Sequence, residues 1–266
     1  MGALASTVIR YLRIYGKYKF QICMDVLWLL ILMTIFGFMG LIFEPKEGLL
    51  PYEFHKFFLV GILFWGFFEA GYSEAVASIN EEASMGTIGF LFTSGISPLT
   101  FMVGRMIAAT FKSLILLGSI VLPILLYLGI IAPTLEYTLH LAVSLFFSWL
   151  FVLGVAIVMG SITLLFKKIG GTAGIVLQGI KIASGFYFPP KALPALAYRY
   201  LKFFPPTIGL EITREIMILG SPQELSLLLD NIVFLLLGTM AILIFSLIIY
   251  KKVEWWARKS GALEHY

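Results

Sequence analysis

The chain has 266 residues, of which 60% are hydrophobic and 13% charged, with a formal net charge of +4. Soluble domains run at about half apolar and about a quarter charged, so this balance excludes an ordinary water-exposed fold. The basic residues sit at the chain ends and beside apolar blocks, which fits retention at an anionic membrane leaflet and excludes a nucleic-acid-binding stripe.

Residues 1–24 carry Val8, Leu12 and Tyr15 at helical spacing, with Arg10, Arg13, Lys17 and Lys19 between them. This predicts an amphipathic helix lying on the cytoplasmic membrane surface. The plainer reading is a positively charged flank, and both readings place the N-terminus inside. Gly2 and Ser6 fit a myristoylation pattern, which is short and common, and a chain with many spans needs no lipid anchor. The first apolar run starts too late and is too long for a cleavable leader. Cys23 is alone, so it builds neither a disulfide framework nor a metal site.

Six spans are predicted: Val26 to Phe43, Phe57 to Ile79, Phe101 to Ile131, Tyr137 to Phe166, Gly170 to Phe188 and Asn231 to Tyr250. A span needs about 20 residues to cross about 30 Å of hydrocarbon. The fifth is short, and the third and fourth are long enough to tilt or to extend into the cytoplasm. Lys and Arg in the N-terminal helix, Arg105, Lys167, Lys168 and the tail residues Lys251, Lys252, Arg258 and Lys259 all fall on one side, which places both ends inside.

The second span contains Glu69, about 18 Å along the helix from Phe57. The third contains Lys112, about 16 Å from Phe101, entering from the other side. Comparable depth predicts a Glu69–Lys112 ion pair or a shared polar cavity wall. Lys112 belongs alternatively to a water-filled entrance near Arg105. Charges in a span are costly and often functional. The aromatic run Phe64, Trp65, Phe67, Phe68 and Tyr72 suits an apolar or sugar-bearing cargo, although such stripes more often pack against lipid or helices. In the fifth span Gln178, Lys181 and Ser184 are expected to face a cavity between two copies, against the alternative of close packing with Lys181 snorkelling outward. Gly170 and Gly174 make a step at which another helix can approach closely.

Between spans two and three, residues 80–98 read as a short cytoplasmic helix held by the span ends. Carboxylates at Glu81 and Glu82 can pair with basic groups on a partner or complement a helix N-terminus. Gly86 permits close approach, and Ser97-Pro98 resets the chain before span three. A capped surface helix with solvated acids fits the same residues. After span five, residues 186–222 hold Pro189, Pro190, Pro194, Pro205, Pro206 and Pro222 among many apolar and aromatic side chains. Proline disfavours one continuous helix, and the apolar content disfavours a solvated loop, so short re-entrant helices in the outer leaflet are expected. An interfacial aromatic belt is the alternative.

No segment fits the phosphate-binding pattern GxxxxGK[ST]. The stretch from Gly104 to Ser113 ends in Lys-Ser at the wrong spacing and inside a span. If ATP drives this chain, a separate chain binds it. Ala183-Ser184-Gly185 lacks the preceding glycine and a later in-span histidine that an intramembrane serine protease needs. No paired-aspartate or metal-ligand spacing is present, so a membrane enzyme has no constellation to support it.

The segment from Asn80 to Pro98, with Glu81-Glu82, Gly86-Thr87, Ser97-Pro98 and then Gly104-Arg105, resembles the cytoplasmic loop of the ABC type-2 transporter permeases. Ile88-Gly89 stands where that family often has an acidic residue, and Gly95 where a proline is common. The resemblance covers the whole chain, from the amphipathic start to the basic tail of residues 251–266. It implies an all-α integral membrane protein with a single transmembrane domain over residues 1–266. Its features would be six spans, an N-terminal interfacial helix, a coupling helix at 80–98 and re-entrant helices after span five.

The resemblance further implies that two copies work with two ATP-binding cassette subunits, which hold the ATP and Mg, while this chain carries no cofactor. Glu81, Glu82, Gly86, Thr87, Ser97 and Pro98 would then contact the ATPase, and Glu69, Lys112, Gln178, Lys181 and Ser184 would line the path. The expected role is export across the plasma membrane of an amphipathic, drug-like or lipid-like molecule, or alternatively of a polysaccharide or lipid-linked glycan. An ATP-independent transporter or channel would predict internal repeats, and none is evident.

Overall fold

The structure is a computed structural model that describes residues 2–42, 53–127, 129–130, 135–166, 170–220 and 225–259. The described residues form helices joined by turns. In chain order these are α1 (Ala3–Lys17), α2 (Lys19–Ile42), α3 (Phe54–Ser84), α4 (Ile88–Thr93), α5 (Pro98–Tyr127), α6 (Leu135–Phe166), α7 (Gly170–Ala183), α8 (Ala195–Leu201), α9 (Pro205–Arg214) and α10 (Leu225–Lys259). A 3-10 turn, Pro190–Ala192, precedes α8, and a π segment, Glu215–Leu219, follows α9.

The expected helix over residues 1–24 is shorter. It ends at Lys17, and Lys19 to Met24 belong to α2. Tyr18 leaves helical geometry at φ −92° and ψ 72°, and its N–H bonds back to Tyr15 O. No glycine or proline at Tyr18 announces this break, while Gly16 stays inside the helix. Lys17 in the last turn complements the helix dipole. On α1 Thr7 is buried, and it packs against Gly104 of α5.

Among the described residues, five helices are long and apolar enough to cross a membrane: α2, α3, α5, α6 and α10. At 1.5 Å per residue, α3, α5 and α6 each exceed about 40 Å, more than the ~30 Å a bilayer core requires. The chain predicted as the fifth span behaves differently. Its helix α7 has 14 residues, which rise about 21 Å, too short to cross alone. The helix of the third predicted span runs to Tyr127, and the predicted end at Ile131 lies outside the described residues.

Helix α3 is the centre of the bundle. It packs against α2, α5, α6, α7 and α9, and its side chains from Phe57 to Val60 and from Phe64 to Trp65 are buried. Helix α6 packs chiefly on α10. Two of its buried hydroxyls bond to its own backbone: Ser161 Oγ donates to Ile157 O at 2.7 Å and Thr163 Oγ1 to Met159 O at 3.0 Å. Such local bonds satisfy hydroxyls where no water reaches them. Helix α7 runs antiparallel to α3. Tyr72 Oη donates to Ala173 O at 2.9 Å, and Trp65 Nε1 donates to Ser184 Oγ at 3.1 Å.

The proline-rich segment folds because its prolines sit where helices start. Pro190 opens the 3-10 turn, Pro194 caps α8, and Pro205 opens α9. At these positions a missing N–H costs nothing. Helix α8 has no buried residue, whereas in α9 every residue but Glu211 is buried against α3, α6 and α10. Gly209 lets α9 approach α6 closely, because a Cβ there would lie 2.0 Å from Ser148 Oγ and 3.3 Å from its Cβ. Pro222 lies outside the described residues, as do Lys46, Lys167, Lys168 and the tail beyond Lys259.

Candidate functional site

The connection between α3 and α5 is built from two turns around a short helix. Gly86 and Gly95 hold φ of 70° and 78°, a left-handed conformation that other residues adopt only with strain. Between them α4 has six residues. It is anchored inward by fully buried Ile88, while Met85 and Phe90 stand 73% and 74% exposed. Glu81 and Glu82 do not sit at a helix N-terminus. They lie in the last turn of α3, where the dipole disfavours them, and local partners compensate. Thr87 Oγ1 donates to Glu82 Oε2, and Arg105 of α5 donates to Glu81 Oε2 at 3.1 Å. Ser97 caps α5: Thr100 N–H donates to its Oγ at 3.1 Å, and Pro98 takes the first helical position. From α10, Tyr250 Oη accepts the Leu99 N–H at 3.4 Å.

Arg105 also pairs with Glu74 of α3 and lies 4.8 Å over the ring of Tyr11. The Tyr11 hydroxyl donates to Glu74 Oε2 at 3.1 Å. Burial, and then the nearby Glu74 charge, push this hydroxyl above the ordinary tyrosine range, so it stays a donor. The cluster joins α1 to the α3–α5 connection. Tyr11 has no motif to mark it. Glu74 is a charge inside an apolar run, the same signal that marks Glu69.

A second group of charges lines a cavity of about 430 Å³ between α2, α3, α5 and α7. Glu69, Lys112, Gln178 and Lys181 all reach it, and Asp25 joins them. The expected Glu69–Lys112 pair does not form. Lys112 Nζ bonds to Asp25 Oδ2 at 2.9 Å, and Lys181 Nζ bonds to Glu69 Oε2 at 2.7 Å. Asp25 wins Lys112 because Tyr15 Oη, at 2.7 Å, and Gln21 Nε2, at 2.9 Å, hold it in place. Lys181 does not snorkel outward, since its side chain is 8% exposed. Ser184 stands behind the wall, taking the Trp65 indole and donating to Lys181 O at 2.8 Å. Gln178 accepts from Tyr187 Oη at 2.8 Å.

The aromatic run resolves into packing. Phe64, Phe68 and Tyr72 are buried, and of the run only Trp65 borders the cavity. A Cβ on Gly174 would meet nothing within 4 Å, so no helix among the described residues packs against it.

Arg214, at the end of α9, was not anticipated. It is fully buried, donates from Nε to Phe57 O at 3.3 Å and from Nη1 to Gly185 O at 3.0 Å, and lies 3.5 Å over the Phe57 ring. Gly61 makes room for it, because a Cβ there would stand 3.1 Å from Arg214 Nη2. An arginine following an apolar stretch was the available signal, masked by its place in a proline-rich segment.

No curated protein matches the chain. A family model described as ABC-2 type transporter matches residues 3–218. That span begins with α1, includes the α3–α5 connection and every side chain of the charged cavity, and ends in the π segment. With most of its length accounted for, the chain belongs to the ABC-2 type transporter family, as a multi-pass membrane permease subunit.

Proposed function

We propose that this chain is the membrane subunit of an ATP-driven exporter in the plasma membrane. Two copies pair with two separately encoded ATP-binding cassette subunits, which hold the ATP and Mg. The observation that carries this reading is the α3–α5 connection. A six-residue helix hangs between two left-handed glycine turns, with Met85 before it and Phe90 on it exposed, while Glu81 at the end of α3 pairs with Arg105 of α5 beside it. Such an element can take a push from a partner and pass it to α5. Glu82, Thr87, Ser97 and Pro98 hold the shape of that element rather than touching the partner through free charges.

In this reading α7, with the chain that follows it, is the fifth of six spans, α8 and α9 form the re-entrant segment, and both termini are cytoplasmic. The antiparallel course of α7 along α3 supports this. The cargo passes by Glu69, Lys112, Gln178 and Lys181. An amphipathic drug-like or lipid-like molecule suits their mostly apolar cavity better than a polysaccharide, which would need a longer polar path.

The test is purification of the tagged chain from its own membranes. A separate ATPase subunit should co-purify, and ATP hydrolysis should require it. Robust hydrolysis by this chain alone, or transport that continues without ATP, would overturn the proposal.

A further inference from the structure

The cavity between α2, α3, α5 and α7 holds four charges that cancel. Asp25 pairs with Lys112 at 2.9 Å and Glu69 with Lys181 at 2.7 Å. A cavity with a surplus of one sign selects cargo of the other. A cavity of internal pairs penalises any cargo with a single charge. That charge must either enter without a counter-charge or take one member of a pair and strand the other.

Each pair nevertheless leaves something over. Glu69 is 39% exposed, and its Oε1 accepts no hydrogen bond among the described residues, because Lys181 uses Oε2. Lys112 has three N–H donors; Asp25 takes one, the Tyr15 ring lies 4.3 Å from its Nζ, and the side chain, 17% exposed, still borders the cavity. One open negative and one open positive position therefore face the same space from α3 and α5. The rest of the wall is largely apolar, with Trp28, Leu32 and Phe36 along α2 and Leu116 on α5. Tyr187 adds an aromatic face, which attracts cations, whereas the Phe186 ring already lies 5.3 Å from Lys181 Nζ. The volume of about 430 Å³ falls in the range of sites for drug-sized ligands.

We infer that the cavity takes a zwitterionic amphipath. The cationic centre of its head group lies against Glu69 Oε1, the anionic group against Lys112, and the apolar body along Trp28, Leu32 and Phe36. Such a head group leaves both internal pairs intact and keeps the cavity neutral. The inference names the cargo class of the exporter proposed above and rests on that reading for its meaning in transport, although binding itself needs no ATPase.

The experiment uses the full chain alone in lipid nanodiscs. Binding is read from tryptophan fluorescence, since Trp28 and Trp65 border the cavity, and loss of the signal in Trp28→Phe assigns it to that site. Four probes share an octyl chain: octylphosphocholine, octyl glucoside, octyltrimethylammonium and octane sulfonate. Octylphosphocholine should bind about tenfold more tightly than either singly charged probe. In Lys181→Gln, which strands Glu69, the ammonium probe should overtake the others. In Glu69→Gln, which strands Lys181, the sulfonate should. Comparison across variants cancels partitioning into the bilayer.

If either single variant does not fold, the double variant Glu69→Gln/Lys181→Gln decides. It strands no charge and should keep octyl binding while losing the preference for phosphocholine. Equal affinities for the four head groups, an unchanged order in the variants, or no fluorescence response would each overturn the inference. If the head groups are discriminated as expected but no ATPase subunit co-purifies with the chain from its own membranes, the exporter reading fails and the cavity's specificity stands.

Discussion

Arg214 joins three segments that are far apart in sequence. From the end of α9 it reaches the first turn of α3 at Phe57 and the chain reversal after α7 at Gly185. Hydrogen bonds from a charged donor are worth about 1.5–3 kcal/mol each, and carbonyls left unpaired out of reach of water cost more than the bonds gained. Arg214→Met should therefore destabilise the purified chain by about 2–4 kcal/mol in denaturant unfolding. Arg214→Lys should recover less than half of that, since an ammonium cannot fork between two carbonyls as a guanidinium does. An unchanged midpoint in Arg214→Met would show that α9 is held by packing alone. At this scale the sequence marks the right side chains more readily than their partners. Glu69, Lys112 and Lys181 stand out as charges in apolar runs. The partner of Lys112 was missed because the first span was drawn from Val26, one residue past Asp25, whereas α2 starts at Lys19. Counting residues gives depth along a helix. Rotation about its axis is set by packing and cannot be counted.

The α3–α5 connection depends on backbone geometry at Gly86 more than on its acids. At φ 70° a Cβ meets the following carbonyl, at a cost of about 1–2 kcal/mol. Gly86→Ala should leave overall unfolding nearly unchanged, because the turn is at the surface, yet reorient exposed Met85 and Phe90. Recovery of the ATPase subunit with the tagged chain should fall about 5- to 30-fold, the equilibrium weight of that strain. Gly86→Asn should lose less, since asparagine tolerates the left-handed region. Full recovery with Gly86→Ala would mean that the partner does not read this turn. The element was legible as a short helix between spans, from its glycines and Ser97-Pro98. The setting of Glu81 and Glu82 was not, because acids flanking a turn fit the end of one helix and the start of the next equally well. Their actual place is decided by Arg105 and Thr87, which meet them only in the folded chain.

At the scale of the whole molecule, apolar runs reveal α2, α3, α5, α6 and α10, while the burial of α9 is invisible in a sequence full of prolines. The number of crossings turns on α7. Its 14 residues rise about 21 Å, short of the ~30 Å core. Contacts extend its reach. Ala173 lies beside Tyr72, and Gly185 shares Arg214 with Phe57, so α7 and the turn after it accompany α3 over residues 57–72. That stretch is about 22 Å of α3, and Gly170 to Thr172 add another turn below it. If this path crosses the bilayer, α8 emerges opposite the α3–α4 turn and α10 returns the chain to the starting side. If it turns back, α8 shares the side of that turn, and the end of α10 comes out opposite. Single cysteines in a Cys23→Ser background separate these outcomes. Met85, Tyr200 and Lys259 are exposed positions at the α3–α4 turn, on α8 and at the end of α10. With a membrane-impermeant maleimide on intact cells, Tyr200→Cys should label at once. Met85→Cys and Lys259→Cys should label only after permeabilisation. Labelling of Lys259→Cys without Tyr200→Cys in intact cells would reduce the chain to five crossings. The cavity wall formed by α7 would then belong to a hairpin that enters and leaves from one face.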